Sequence, residues 1–169
     1  MALVILTGFM ATGKTEVGRK LAALLDAPFV DTDTLVESAT GRTVADIFAR
    51  EGERAFRALE REAVERACGV EDAVVATGGG TLLDADNRRR LAAAGPVVCL
   101  TAAPEELVRR VGRGADRPLL AGSGDRLGRV RELLATRAEA YASAAHTIDT
   151  TGLGVDDVVA RVRSLVADR

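Results

Sequence analysis

The chain has 169 residues, 47% hydrophobic and 28% charged, with a formal net charge of −2. That suffices for one domain with a sizeable core, and the near-neutral balance gives no ground for a nucleic-acid or anionic-membrane partner. A single histidine and two widely separated cysteines, Cys68 and Cys99, argue against a histidine triad, a multi-histidine metal site or a cysteine-pair redox centre. The cysteines read as buried, reduced thiols. No basic n-region with a cleavage site and no apolar stretch of ~20 residues is present, so a cytoplasmic location is expected.

In chain order, "ALVILT" (2–7) reads as a buried strand, and "GFMATGKTEVGRK" (8–20) follows it directly. Gly8, Gly13, Lys14 and Thr15 match the G-x-x-x-x-G-K-[ST] pattern, with the strand before and the amphipathic helix after that it requires. Glycines let successive backbone N–H groups turn toward phosphates, and the helix N-terminus adds its dipole. Lys14 adds a point charge near the β- and γ-phosphates, and the Thr15 hydroxyl can ligate Mg2+. The bland alternative is a tight glycine turn with an exposed lysine; the flanks favour nucleotide binding. Val17, Leu21, Leu24 and Leu25 fall at helical spacing behind the loop. The N-K-x-D motif of a GTPase is missing, because the one asparagine, Asn87, precedes an arginine.

"PFVDTD" (28–33) reads as a second strand, with Asp31 and Asp33 at its carboxyl end, where an open α/β sheet frames its ligand crevice. One carboxylate there can serve a Mg2+ shell and the other an acceptor hydroxyl; equally, Thr32 or Asp33 can cap a helix starting at Thr34. Residues 34–67 form a long helical insertion. Within it, "GERAFRALE" (52–60) sets Arg54, Arg57 and Arg61 among Glu53 and Glu60, which alone reads as a solvated face laced with i,i+3 ion pairs. "AVVAT" (73–77) and "PVVCLT" (96–101) are the third and fourth strands, without an acid at either tip. The first of them runs into Gly78, Gly79 and Gly80, which permit close backbone approach to a ligand or simply a turn. Residues 111–126, rich in Gly, Arg and Pro, read as a mobile loop carrying Arg117 in "RPLL". "RAEAY" (137–141) sets Arg137 and Tyr141 one turn apart, ordinarily a surface pair. "HTIDT" (146–150) is a fifth strand, and Val158, Val159, Val162, Leu165 and Val166 mark a last helix. The alternation indicates a doubly wound α/β sheet in a single domain spanning residues 1–169.

P-loop, D-x-D, G-E-x-x-F-R-x-x-E, G-G-G, R-P-L-L and R-x-x-x-Y, in that order over essentially the whole chain, resemble shikimate kinase. The resemblance implies a three-layer P-loop kinase fold, with a five-stranded parallel sheet in order 2-3-1-4-5, a substrate-binding helical insertion (about 34–67) and a lid (about 111–126). It implies transfer of the γ-phosphate of ATP, with Mg2+, to the 3-hydroxyl of shikimate in aromatic amino-acid (chorismate) biosynthesis. On that pattern the backbone amides of Ala11, Thr12, Gly13, Lys14, Thr15 and Glu16 cradle the phosphates. Thr15 ligates Mg2+, and Asp31 orients a metal-bound water. Asp33 holds the ring hydroxyls and receives the proton of the attacking one, with Lys14 and Arg117 as the catalytic cations. Arg57 and Arg137 clamp the substrate carboxylate, Glu60 steadies Arg57, and Gly78, Gly79 and Gly80 line the ring. Arg110 lies against adenine, and the loop at Gly152 closes the other side. Ala11 and Thr12 stand where the family often has Gly and Ser, which matters at position 11 if its backbone needs positive φ.

The nearest competing reading is another small-molecule P-loop kinase such as a gluconate kinase, since gluconate is also a carboxylate with many hydroxyls. A second is a non-catalytic ATP-binding domain, although both the P-loop lysine and the acceptor-side residues are present. Nothing in the sequence demands a dimer, so a monomer is expected.

Overall fold

The computed structural model describes residues 3–112, 120 and 124–167. Its strands are β1 (Val4–Gly8), β2 (Phe29–Asp31), β3 (Val74–Ala76), β4 (Val97–Thr101) and β5 (His146–Asp149). Its helices are α1 (Lys14–Leu24), α2 (Thr32–Thr40), α3 (Val44–Cys68), α4 (Ala85–Ala94), α5 (Pro104–Val111), α6 (Arg126–Ala142) and α7 (Val155–Ala167), with a short 3-10 turn at Thr81–Leu83. The five strands form one parallel sheet in the order 2-3-1-4-5.

The apolar strands alternate between two cores, as a pleated strand covered on both faces must. Leu3 and Ile5 join Val75, Val97 and Cys99 on the face covered by α3, α4, α5 and α6; Leu120, last residue of "RPLL", is buried there too. Val4 and Leu6 join Val74, Val98 and Leu100 on the other face, against Val17 and Leu21 of α1 and Val158, Val159 and Val162 of α7. Leu24, expected in the α1 stripe, is the last residue of the helix and is 56% exposed. Cys99 is buried and its thiol is pushed up to about 11, first by burial; Cys68 is only half-buried, so the expectation of two buried thiols holds for one.

Register sets the site. Leu6 pairs with Ala76 and Asp31 with Ala76, so β2 and β3 end at one level, while β1 runs two residues further, to Gly8 opposite Leu100. The insertion is a small packed unit: Val36 of α2 and Ile47, Phe56 and Ala63 of α3 share a third apolar cluster. Helix α2 starts at Thr32 rather than Thr34, because Asp31, not Thr32 or Asp33, is its cap. Thr43 caps α3 and Asp84 caps α4 in the same way. Among the described residues no helix is long and apolar enough to cross a membrane.

Candidate active site

The phosphate-binding loop connects β1 to α1. Gly13, in the left-handed region at φ 88°, precedes the helix without any side-chain cap, so the first-turn N–H groups are left to another partner. Thr12 is buried and its hydroxyl donates to the Phe9 carbonyl at 2.8 Å, which tightens the loop from inside. Lys14 Nζ donates to the carbonyls of Gly8 and Phe9 at 2.7 and 2.8 Å. Ala11 has φ 63°, so position 11 does need positive φ.

A cavity of about 590 Å³ opens over this loop, walled by residues 10–17, Asp31, Arg110, Thr150, Leu153, Gly154 and Val155. Arg110 is fixed in that wall: its guanidinium donates to Glu106 Oε1 (2.9 Å), to the Thr150 hydroxyl (3.0 Å) and to the Thr150 carbonyl (3.1 Å). Hydrogen bonds from Arg109 and Arg110 hold Glu106 down at about 2. Gly152 turns the chain at φ 73°, but the wall beside it is made by Leu153, Gly154 and Val155. At the cavity's inner edge Asp31 has two tasks. Oδ1 accepts from the N–H groups of Asp33 (2.9 Å) and Thr34 (3.2 Å), and Oδ2 accepts from the Thr15 hydroxyl at 3.3 Å.

A second cavity of about 370 Å³ lies between the insertion and the sheet, with Val44, Phe48 and Phe56 on its apolar side and Asp33, Arg57, Glu60 and Arg137 on its polar side. Arg57 donates through Nη1 to Glu60 Oε1 at 2.9 Å and through Nη2 to Glu53 Oε1 at 3.0 Å. Burial works against its charge, and Glu60 and Glu53 more than offset that, so its pKa is raised. Arg137 is 2% exposed and its guanidinium stacks 5.4 Å from the centre of the Phe9 ring. The Tyr141 hydroxyl donates to the Gly79 carbonyl, and burial pushes that phenol up to about 12.

The glycine run is short of side chains for a local reason. A Cβ on Gly78 would lie 2.8 Å from Glu60 Oε2 and 3.1 Å from Asp33 Oδ1, and one on Gly80 would collide with the Arg57 guanidinium. Asp33 itself is half-buried with its Oδ1 out of reach of solvent, and desolvation, then Asp31 and Glu60, raise it to about 6 against the pull of Lys14.

Two of the bland sequence readings fail here. Arg57 is not on a solvated face; its side chain is 20% exposed and points into the cavity, whereas Arg61 does pair at the surface, with Asp84 at 2.5 Å. Arg137 and Tyr141 are both buried rather than a surface pair. Arg117 and most of the 111–126 segment lie outside the described residues. Sequence reasoning missed Glu106, Thr150 and the Phe9 ring. Glu106 was visible as the i−4 partner of Arg110; the other two are brought in by long-range packing.

Met10, Asp33, Gly78 and Gly79 line both cavities, so a phosphate held over the loop faces whatever the arginines hold. That arrangement on a 2-3-1-4-5 sheet defines a P-loop kinase acting on a small anionic molecule. A family model described as shikimate kinase matches residues 10–167. The shikimate kinase of Symbiobacterium thermophilum is 50% identical over 98% of this chain and 97% of its own, and that of Geobacter metallireducens 48% identical over 98% and 92%. A structure of shikimate kinase from Acinetobacter baumannii in complex with shikimate superposes with a TM-score of 0.95 at 36% identity, covering 99% of this chain and 94% of that one. The chain belongs to the shikimate kinase family. Its activity is that family's ATP-using kinase activity in aromatic amino-acid biosynthesis, which sets aside both the gluconate kinase and the non-catalytic reading.

Proposed function

We propose that the protein transfers the γ-phosphate of Mg·ATP to the 3-hydroxyl of shikimate, with Asp33 as the group that takes the hydroxyl proton. The observation that carries this reading is the position of Asp33 on the wall of both cavities. A carboxylate raised to about 6 is still ionised at neutral pH and is a better base than an ordinary one. Asp33 Oδ1 and Arg137 Nη1 are buried without a hydrogen-bond partner, and a substrate hydroxyl and carboxylate would supply one to each. Arg57 and Arg137 then clamp the carboxylate with planar donors, a geometry lysine does not offer. Gly78, Gly79 and Gly80 line the ring.

On the nucleotide side, the amides of residues 11–16 cradle the phosphates and Arg110 and the Gly152 loop flank the base. Lys14, together with Arg117, neutralises charge on the transferring group. The donor set suits Mg2+: the Thr15 hydroxyl and the Asp31 carboxylate are hard oxygens that converge at 3.3 Å. Among the described residues no group of three or more acids, histidines or cysteines could hold a metal without help. That fits an ion shared with nucleotide phosphates and water. When bound, the ion screens the charge that gathers on the phosphates.

Residues from the P-loop to α7 line the two cavities, which supports a single catalytic domain spanning 1–169. A free-thiol protein that uses ATP suits the cytoplasm. The test is ADP release from Mg·ATP with shikimate, quinate, gluconate or no acceptor. Stimulation by shikimate well above the others is expected; equal rates with all four would overturn the assignment of the acceptor.

A further inference from the structure

Arg57 has two competing partners. Glu53 draws its guanidinium toward solvent and is 51% exposed, whereas Glu60, 1% exposed, draws it toward the cavity. The orientation of Arg57 therefore depends on how firmly the buried Glu60 carboxylate is itself held. Its Oε1 accepts from Arg57, and its Oε2 accepts from the Thr81 hydroxyl at 2.8 Å. Thr81 is fully buried, lines neither cavity, and opens the 3-10 turn that follows the three glycines. Its carbonyl accepts from Asn87 Nδ2 at 3.2 Å, which ties the turn to α4.

We propose that Thr81 is a positioning residue for the acid-binding arm: its hydroxyl locks the Glu60 carboxylate and, through it, keeps Arg57 turned into the cavity. A hydroxyl has one proton to give, and here it goes to an ionised acceptor, which makes a short, strong bond. Without that donor Oε2 has no hydrogen-bond partner among the described residues, and the Glu60 carboxylate is held only through Oε1 by Arg57 itself. Arg57 then loses its fixed inner partner and Glu53 gains a larger share of it. The inference rests on the reading above that Arg57 binds the substrate carboxylate.

The experiment is steady-state ADP release by the full chain, with shikimate and Mg·ATP varied separately. Thr81→Val, which keeps the shape and removes the hydroxyl, is expected to raise the KM for shikimate about tenfold, the scale of one hydrogen bond to a charged group. The KM for ATP and kcat should stay within about twofold, a split that general loosening would not produce. Thr81→Ser, which keeps the hydroxyl, should restore the KM to within about twofold. In an Arg57→Ala background the valine should add less than about twofold, since the arm it acts on is gone. An unchanged KM in Thr81→Val, a serine variant as impaired as the valine one, or a full valine effect without Arg57 each overturns the proposal. Should the valine variant not fold, Thr81→Ala replaces it; if that also unfolds, the hydroxyl serves the fold and the proposal falls. A wild-type chain that releases no ADP in response to shikimate would sink the functional reading instead.

Discussion

Asp33 holds a carboxylate that is partly withdrawn from water, and the fold bears the cost of its charge. Its pKa is about 6 in the folded chain and 3.8 in an ordinary setting, so the folded state holds this proton more tightly than the unfolded one. The favourable contribution is therefore fully present below about pH 4 and is lost as the pH rises through about 6. At neutral pH the ionised carboxylate destabilises the fold by up to about 3 kcal/mol. Asp33→Asn should then raise the unfolding midpoint at about pH 7.5, give no gain at about pH 4, and lower kcat by about 10²–10⁴-fold. Denaturant melts at the two pH values, with kinetics beside them, check all three; a variant less stable at the higher pH would refute the linkage. The wild-type kcat/KM should fall on the acid side with a midpoint near 6. Arg57→Ala should instead act mainly on the KM for shikimate, by about 10–100-fold. Ala11 is a smaller case of strain: an alanine at φ 63° costs about 1–2 kcal/mol, partly offset by its lower unfolded-state entropy. Ala11→Gly should raise stability by about 0.5–1 kcal/mol, read as a higher Tm.

Among the elements, α3 depends on one residue for its shape. Gly52 sits inside it at φ 83° and ψ 174°, a region only glycine occupies without strain, so the helix runs as two pieces set at an angle. The first piece carries Val44, Ala45 and Phe48 and the second Phe56, Arg57 and Glu60, and the cavity is the space between them and the sheet. Gly52→Ala meets no neighbour within 4 Å, so its whole effect is on the backbone. We expect a loss of about 1–3 kcal/mol and a raised KM for shikimate with the KM for ATP unchanged, checked by melts and kinetics together. This kink also marks the limit of what the residues alone disclose. The strands, the P-loop and the Arg57–Glu60 pair are legible because each is local: an apolar run, a glycine spacing, an i,i+3 step. Which face of α3 is buried is not local. It is decided by α2 packing on one side and the Thr81 turn on the other, and so "GERAFRALE" reads as solvent-facing until the fold is known. Phe9 beneath Arg137 and Thr150 behind Arg110 join residues more than a hundred and about forty positions apart, with no periodicity to betray them.

For the molecule as a whole, the formal charge of −2 conceals a division of labour. One cavity gathers two arginines around an acid-sized space and the other pairs a lysine with unclaimed helix N–H groups, and they meet at a carboxylate. An acceptor that keeps the ring hydroxyls but lacks the carboxylate should therefore lose affinity by about 10²-fold or more while ATP binding is untouched, which calorimetry with each ligand separately would show. The glycine run carries a consequence for how such a chain can change over time. Gly78 abuts Glu60 and Asp33, Gly79 abuts Arg137, and Gly80 abuts Arg57. Each is tied to a different side chain, so a change at any of the three is coupled to a shift of its own neighbour. A descendant that acquires a side chain at position 80 must also move the arginine at 57, whose guanidinium occupies that space. A change at 78–80 is thus written twice, once in the glycine and once in the side chain that faces it.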